Sequence, residues 1–76
     1  SNDIEGYTMQ QIKTMLRDIM YGAIPDLEQA DGNLSYEDVS DFACDAMWSS
    51  DLADDWEKLD YDFRRNLADE IAKEFV

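Results

Sequence analysis

The stretch SYEDVSDFACDAM, residues 35–47, predicts an amphipathic helix whose two faces differ in chemistry. Apolar side chains recur three and four residues apart along one face, at Val39, Phe42, Ala43, Ala46 and Met47. The opposite face carries carboxylates and no base: Glu37, Asp38, Asp41 and Asp45. Asn33 or Ser35 is the predicted N-cap, and Ser35 with Asp38 forms a capping box. The helix is therefore both a core element and a candidate surface.

Residues 8–25 predict an earlier helix with the same division into apolar and polar faces. Thr8 is its predicted N-cap, with Gln11 as the capping-box partner. Gly22 and Pro25 are predicted to end it, and a loop over 25–33 follows. Its apolar stripe consists of Met9, Ile12, Met15, Leu16, Ile19, Met20 and Ala23.

Two more helices follow. A short one is predicted over 51–58 after the break at Ser49-Ser50, and another over 61–75 with Asp60 as its N-cap. The fold class is therefore all-α, a compact bundle of three long helices plus one short helix. We expect residues 1–76 to form a single acidic helical domain. Ser1 and Asn2 are expected to be the remnant of a cleaved expression tag.

The negative charge is concentrated in the middle of the chain. Residues 26–62, here called the acidic segment, hold thirteen carboxylates and one base, Lys58, which gives −12 of the net charge of −13. Residues 1–25 sum to −1 and residues 63–76 to zero. Because concentrated like charge destabilises a compact state, this layout favours a surface that binds a basic partner. A solvated acidic surface that serves only solubility is the alternative.

Several residue types that common functions need are scarce or absent. The chain has no histidine, and its three glycines are not clustered, so neither the usual proton shuttle nor a phosphate-binding loop is predicted. Cys44 is the only cysteine, which excludes an intrachain disulfide and favours a reducing, cytoplasmic setting. No apolar run approaches the roughly 18–20 residues of a membrane span, and no signal-peptide pattern opens the chain. Six basic residues against nineteen acidic ones argue against direct binding of nucleic acid.

One short segment resembles part of a calcium-binding EF-hand loop. With Gly32 at loop position 6, Leu34 takes the apolar position 8, and Asp38 stands where a bidentate glutamate is expected. Leu27 then occupies position 1 and cannot coordinate. We therefore predict a turn followed by a helix N-cap, with no metal and no cofactor.

The candidate partner-binding site is a carboxylate-rich helical surface. Carboxylates three or four residues apart on a helix stand about 5–6 Å apart at Cβ, and flexible side chains can match the spacing of successive phosphates. Trp48, at the border of the acidic face, is a candidate anchor, as are Tyr36, Tyr61 and Tyr21. The predicted partner-binding residues are Glu37, Asp38, Asp41, Asp45, Trp48, Asp51, Asp54, Asp55, Glu57 and Asp62.

In size, helical character and its carboxylate-rich central half, the chain resembles the small acidic DNA-mimic proteins of phages and mobile elements. The resemblance lies in these properties and not in an aligned motif. It implies a non-enzymatic inhibitor of the anti-restriction or anti-CRISPR type, which needs no cofactor. Such an inhibitor reversibly occupies the basic nucleic-acid-binding site of a partner protein, an enzyme or a nuclease.

Two alternatives stay open. Ser49-Ser50-Asp51-Leu52, opening a short third helix, resembles the nuclease-colicin immunity proteins, although residues 53–56 read ADDW where a tyrosine pair is expected. That resemblance implies an antitoxin-like protein that neutralises a single basic toxin or nuclease through buried aromatic anchors. The other alternative is a structural or regulatory acidic protein of a phage or bacterium. An enzyme is the weakest hypothesis, and both a monomer and a homodimer are open.

Overall fold

The computed structural model describes residues 2–76, and helices account for most of them. The helices are α1 (Met9–Asp31), α2 (Tyr36–Ala46), α3 (Ala53–Glu57) and α4 (Tyr61–Ala72), with a 3₁₀ turn at Met47–Ser49. The all-α prediction is confirmed. The prediction of three long helices is wrong, because α1 has 23 residues whereas α2, α3 and α4 have 11, 5 and 12.

Helix α1 begins where the sequence predicts but ends two turns later. Thr8 and Gln11 form the predicted capping box. The predicted stop at Gly22 and Pro25 is wrong, since the helix runs through both to Asp31. A proline inside a helix removes one backbone hydrogen bond and costs about 3 kcal/mol.

Packing explains why α1 continues past the proline. Ile24 is buried just before the proline, and Leu27 packs partly buried against the core from the following turn, so the contact of Leu27 depends on the helix continuing. Gly32 ends the helix with a φ of +80°, which glycine adopts readily, and its N–H bonds to the carbonyl of Glu28 at 2.8 Å. Gly32, which the resemblance to an EF-hand loop put at loop position 6, is therefore the residue that ends α1.

Helix α2 matches its prediction closely. Ser35 and Asp38 form the predicted capping box, with the Asp38 N–H donating to Ser35 Oγ at 3.1 Å. The apolar stripe faces the core, where Val39, Ala43, Ala46 and Met47 are buried and Phe42 is half-buried. The buried hydroxyl of Ser40 donates to the Asp69 carboxylate and joins α2 to α4.

The third and fourth helices are shorter than predicted. Helix α3 begins at Ala53, because Ser50 Oγ accepts the N–H of Leu52 and holds the preceding residues in a turn. Helix α4 ends at Ala72 instead of Phe75, and the chain continues in tighter turns in which Glu74 N–H bonds to the Ile71 carbonyl.

The start of the chain packs beside the start of α4. Asp60 holds the N-cap position of α4, but its side chain makes no capping hydrogen bond. Its own N–H donates to Asn2 Oδ1 at 3.2 Å. Ser1, the other residue of the predicted tag remnant, lies outside the described residues.

One buried cluster draws side chains from all four helices. Trp56 of α3 is fully buried and is the largest member, and the α1 residues Leu16 and Met20 are also inaccessible to solvent. Helix α1 contributes its stripe at four-residue intervals, at Ile12, Leu16, Met20 and Ile24. The apolar stripe of α1 therefore closes the core.

No helix within residues 2–76 is both long enough and apolar enough to cross a membrane.

Candidate functional site: the acidic surface

All thirteen carboxylates of the acidic segment are exposed. Among residues 2–76, only Asp41 of these thirteen forms an ion pair, with Arg65 Nη2 at 2.9 Å. The hydrogen bond to Asp41 raises the pKa of the Arg65 guanidinium, although partial desolvation opposes the shift. The other twelve carboxylates have no ion pair among these residues, although Asp38 accepts the Ser35 N–H in the capping box, so the segment is a strongly negative surface.

Two of the basic side chains, Lys13 and Arg17, pair with acids outside the acidic segment. Lys13 Nζ pairs with Glu70 Oε1 at 3.0 Å, and Arg17 holds both carboxylate oxygens of Glu74 at 2.7 and 2.9 Å. The hydrogen bond from Arg17 lowers the pKa of Glu74 and raises that of Arg17 itself. These pairs join α1 to α4 and to the turn after it, so Lys13 and Arg17 neutralise acids of residues 63–76 and not those of the acidic segment.

Part of the predicted site gathers around one depression between the end of α1 and α2. The depression has a volume of about 360 Å³, and Leu27 and Phe42 supply its apolar lining. Four carboxylates surround these two side chains: Asp31, Asp38, Asp41 and Asp45. Three of the four were predicted as site residues. Asp31 was missed because α1 was predicted to end at Pro25, which left Asp31 in a loop with no assigned face.

Two of these carboxylates stand where they weaken the fold. Asp31 is the last residue of α1 and Asp45 lies in the last turn of α2, and neither last turn contains a base. The C-terminus of a helix carries partial negative charge, so carboxylates there are unfavourable by a few tenths of a kcal/mol or more. Stability alone does not account for these two positions.

The remaining predicted carboxylates are distributed over other surfaces. Asp51 lies with Asp18 beside a second depression of about 380 Å³ between α1 and the 3₁₀ turn. Asp62 lies with Asp60 beside a third depression at the start of α4. The other predicted carboxylates are exposed on α3 and in the first turn of α2: Asp54, Asp55, Glu57 and Glu37. The site is therefore a spread of charge and not one cleft.

Trp48, the aromatic residue of the predicted site, is exposed directly after α2. It lies in the 3₁₀ turn with 42% of its surface accessible, and the guanidinium carbon of Arg64 lies 5.5 Å from the ring centroid. The same guanidinium lies 5.9 Å from the ring of Tyr61, which is 59% exposed. Both distances are within the range of cation–π attraction.

Arg64 forms no ion pair with a carboxylate within the described part of the chain, unlike its neighbour Arg65. Its Nη1 donates to the carbonyls of Trp56 and Glu57 at 3.3 and 3.4 Å. These carbonyls belong to the last turn of α3, where backbone acceptors lack partners within the helix. Arg64 therefore closes the end of α3 while it stacks between Trp48 and Tyr61.

The other candidate anchors differ from this pair. The Tyr36 hydroxyl donates to the Asp69 carbonyl at 3.4 Å, which ties the ring to α4. Tyr21 is 63% exposed and packs edge-on against Phe75, with 4.9 Å between the ring centroids. Tyr21 also lies outside the acidic segment. Trp48 and Tyr61 are thus the exposed rings that one guanidinium joins.

Within residues 2–76, no group of three or more histidine, cysteine, aspartate or glutamate side chains is arranged to hold a metal ion. Comparison with known proteins found no matching family model, no similar curated protein and no similar solved structure.

Proposed function

We propose that this protein is a non-enzymatic inhibitor that uses its carboxylate-rich helical surface to occupy the basic nucleic-acid-binding site of a partner protein. In this proposal it acts as a DNA mimic against a restriction or CRISPR system. The observation that supports the proposal is the set of twelve exposed carboxylates of the acidic segment that lack an ion pair among residues 2–76. A site that binds phosphates holds Lys and Arg side chains, which attract such a surface as they attract nucleic acid.

The positions of the bases favour this function over solubility alone. A solvated helix face gains stability when bases stand three or four residues from its acids. Lys13 and Arg17 instead pair with Glu70 of α4 and with Glu74 just after it, and Asp31 and Asp45 oppose the dipoles of their own helices. Exposed carboxylates that do not stabilise the fold agree with a surface that binds a basic partner.

The proposed partner is a basic protein, either a nucleic-acid-binding enzyme or a nuclease, in the cytoplasm of a bacterium. Direct binding to nucleic acid is not part of the proposal, because a net charge of −13 repels phosphates. Binding by a spread of exposed charge weakens as salt screens it, and free DNA competes for the same site.

A capture experiment from bacterial lysate tests the proposal. Glu37 and Asp45 are the residues to reverse, because Asp38 caps α2 and Asp41 pairs with Arg65. We expect nucleic-acid enzymes to elute from the wild-type bait at moderate salt, to be displaced by added DNA, and to be lost from a Glu37→Lys/Asp45→Lys bait.

The matched control reverses two exposed acids outside the segment, Asp3→Lys/Glu5→Lys, and brings the net charge to the same −9, from −13 plus 4. This control is expected to retain the captured enzymes. Equal losses from both double variants, or a partner that added DNA does not displace, would contradict the proposal.

A second candidate is an immunity-like protein that neutralises one basic toxin or nuclease, and the exposure of Trp48 favours it. An exposed tryptophan amid polar surroundings is a common source of interface affinity. A partner bound through such an anchor stays bound at high salt, whereas a partner bound through charge alone elutes at high salt.

A further inference from the structure

We infer that Trp48 and Tyr61 form an arginine-selective docking site, where a guanidinium of the partner stacks on exposed ring surface. The inference rests on the proposed function in one respect, that the partner is a basic protein. It adds the kind of base that the surface selects and the residues that select it.

The protein's own Arg64 shows that these rings accept a guanidinium. Its guanidinium carbon lies 5.5 Å from the Trp48 ring centroid and 5.9 Å from that of Tyr61. Tryptophan and tyrosine attract cations through the negative faces of their rings, and arginine can also stack flat on them. With 42% of Trp48 and 59% of Tyr61 exposed, Arg64 leaves ring surface for a second cation.

The backbone of both ring residues is fixed in secondary structure before any partner arrives. Trp48 lies in the 3₁₀ turn directly after α2, and Tyr61 is the first residue of α4. Arg64 is fixed between them by hydrogen bonds to two carbonyls of α3. Because the rings and their spacer come from packed elements, docking orders few side chains, which preserves affinity.

Nearby carboxylates make the surroundings suitable for a cation in spite of Arg64. Asp60 and Asp62 flank Tyr61 in the chain, and Asp45 precedes Trp48 by one helical turn, and all three are exposed. A guanidinium can stack on a ring and donate to a carboxylate at once, because its donors lie in the plane of the group. A lysine ammonium can pair with the carboxylates but cannot stack in this way.

The net charge of the protein also indicates what kind of molecule binds at Trp48 and Tyr61. A second copy of this chain would bring another −13 to the same surface, which opposes self-association there. An arginine-bearing segment of a basic protein complements both the rings and the carboxylates. Salt screens the ion pairs more than it weakens stacking, so arginine selectivity should persist as total affinity falls.

Two peptides of equal charge, nona-arginine and nona-lysine, provide the test by isothermal titration at low and high salt. We expect the wild type to bind nona-arginine about fivefold more tightly than nona-lysine, the size of one or two exposed cation–π contacts. Trp48→Ala should bring this ratio close to one while leaving the affinity for nona-lysine nearly unchanged. Tyr61→Ala should reduce the ratio as well, and its ring is exposed enough to be removed without loss of the fold.

Tyr21→Ala is the matched control, since Tyr21 is about as exposed as Tyr61 and has an aromatic contact but lies outside the acidic segment. It should leave the ratio unchanged. A wild-type ratio of one, or a ratio that falls equally in Tyr21→Ala, would overturn the inference. The proposed function fails separately, if Glu37→Lys/Asp45→Lys binds nona-lysine no more weakly than Asp3→Lys/Glu5→Lys does.

Discussion

Helix α2 and the region from α4 to Glu74 carry similar numbers of carboxylates but treat them in opposite ways. In the α4 region, Asp69, Glu70 and Glu74 each have a basic partner. In α2, only Asp41 has one among the described residues, although it too is paired from α4. The pairs of Glu70 and Glu74 fasten this region to α1, whereas three of the four α2 carboxylates have no ion pair among residues 2–76. Carboxylates therefore stabilise the packing of the chain in one region and stay exposed to solvent in the other.

The largest expected effect concerns the core beneath both regions. Trp56→Ala removes a fully buried side chain, so we expect it to lower the free energy of unfolding by about 3–5 kcal/mol, enough to unfold a domain of this size. Trp48→Ala removes a ring that is 42% exposed and should cost much less. Urea denaturation followed by circular dichroism measures both. Equal losses would mean that Trp48 belongs to the core and not to the surface.

A smaller expected effect distinguishes carboxylates that stabilise the fold through ion pairs from exposed carboxylates that do not. Asp31→Lys and Asp45→Lys each place a base in the last turn of a helix, so each should stabilise the protein by about 0.3–1 kcal/mol at low salt. Glu70→Lys puts two bases together where Lys13 now has a partner, and should lower the melting temperature. Thermal melts at low and high salt measure all three variants. If Asp31→Lys and Asp45→Lys were destabilising, these carboxylates would have structural partners of their own.

The smallest expected effect depends on pH and tests the ion pair between Arg17 of α1 and Glu74. The bond from Arg17 lowers the pKa of Glu74, so the pair stabilises the fold above the ordinary glutamate pKa of about 4.5, and the stabilisation is lost as pH falls through the lowered value. Arg17→Gln should therefore be less stable than the wild type at pH 7, and the two should converge in acid.

Lys73→Gln is the control for that titration, because it removes one positive charge from an exposed residue without an ion pair in the described chain. Its difference from the wild type should change little over the same acid range. Parallel curves for Arg17→Gln and Lys73→Gln would show that net charge, and not the pair, sets the pH dependence.

The sequence predicts those parts of the fold that depend on neighbouring residues. The capping boxes at Thr8 and Ser35 involve residues three positions apart, so local pattern is sufficient to find them. The continuation of α1 past Pro25 brings Leu27 against the core, a contact between residues distant in the chain that a local pattern does not contain.

The candidate site shows the same division. The acidic face of α2 follows from helical spacing, and the structure confirms that it is exposed. Asp31 joins that face only because α1 continues to its position, and the stacking of Arg64 on Trp48 joins residues sixteen positions apart in the chain. Contacts made by distant residues depend on the tertiary arrangement, which spacing along one helix does not specify.

The proline inside α1 has a consequence for motion. Pro25 has no N–H to bond the carbonyl of Tyr21, and none of residues 25–31 is fully buried. Segments with few buried contacts open at low free energy, so the end of α1 should lose protection from hydrogen exchange before the rest of the helix does. Asp31, at the end of that segment, can move relative to Asp38, which its capping box holds in place. One side of the acidic depression is thus adjustable and the other fixed.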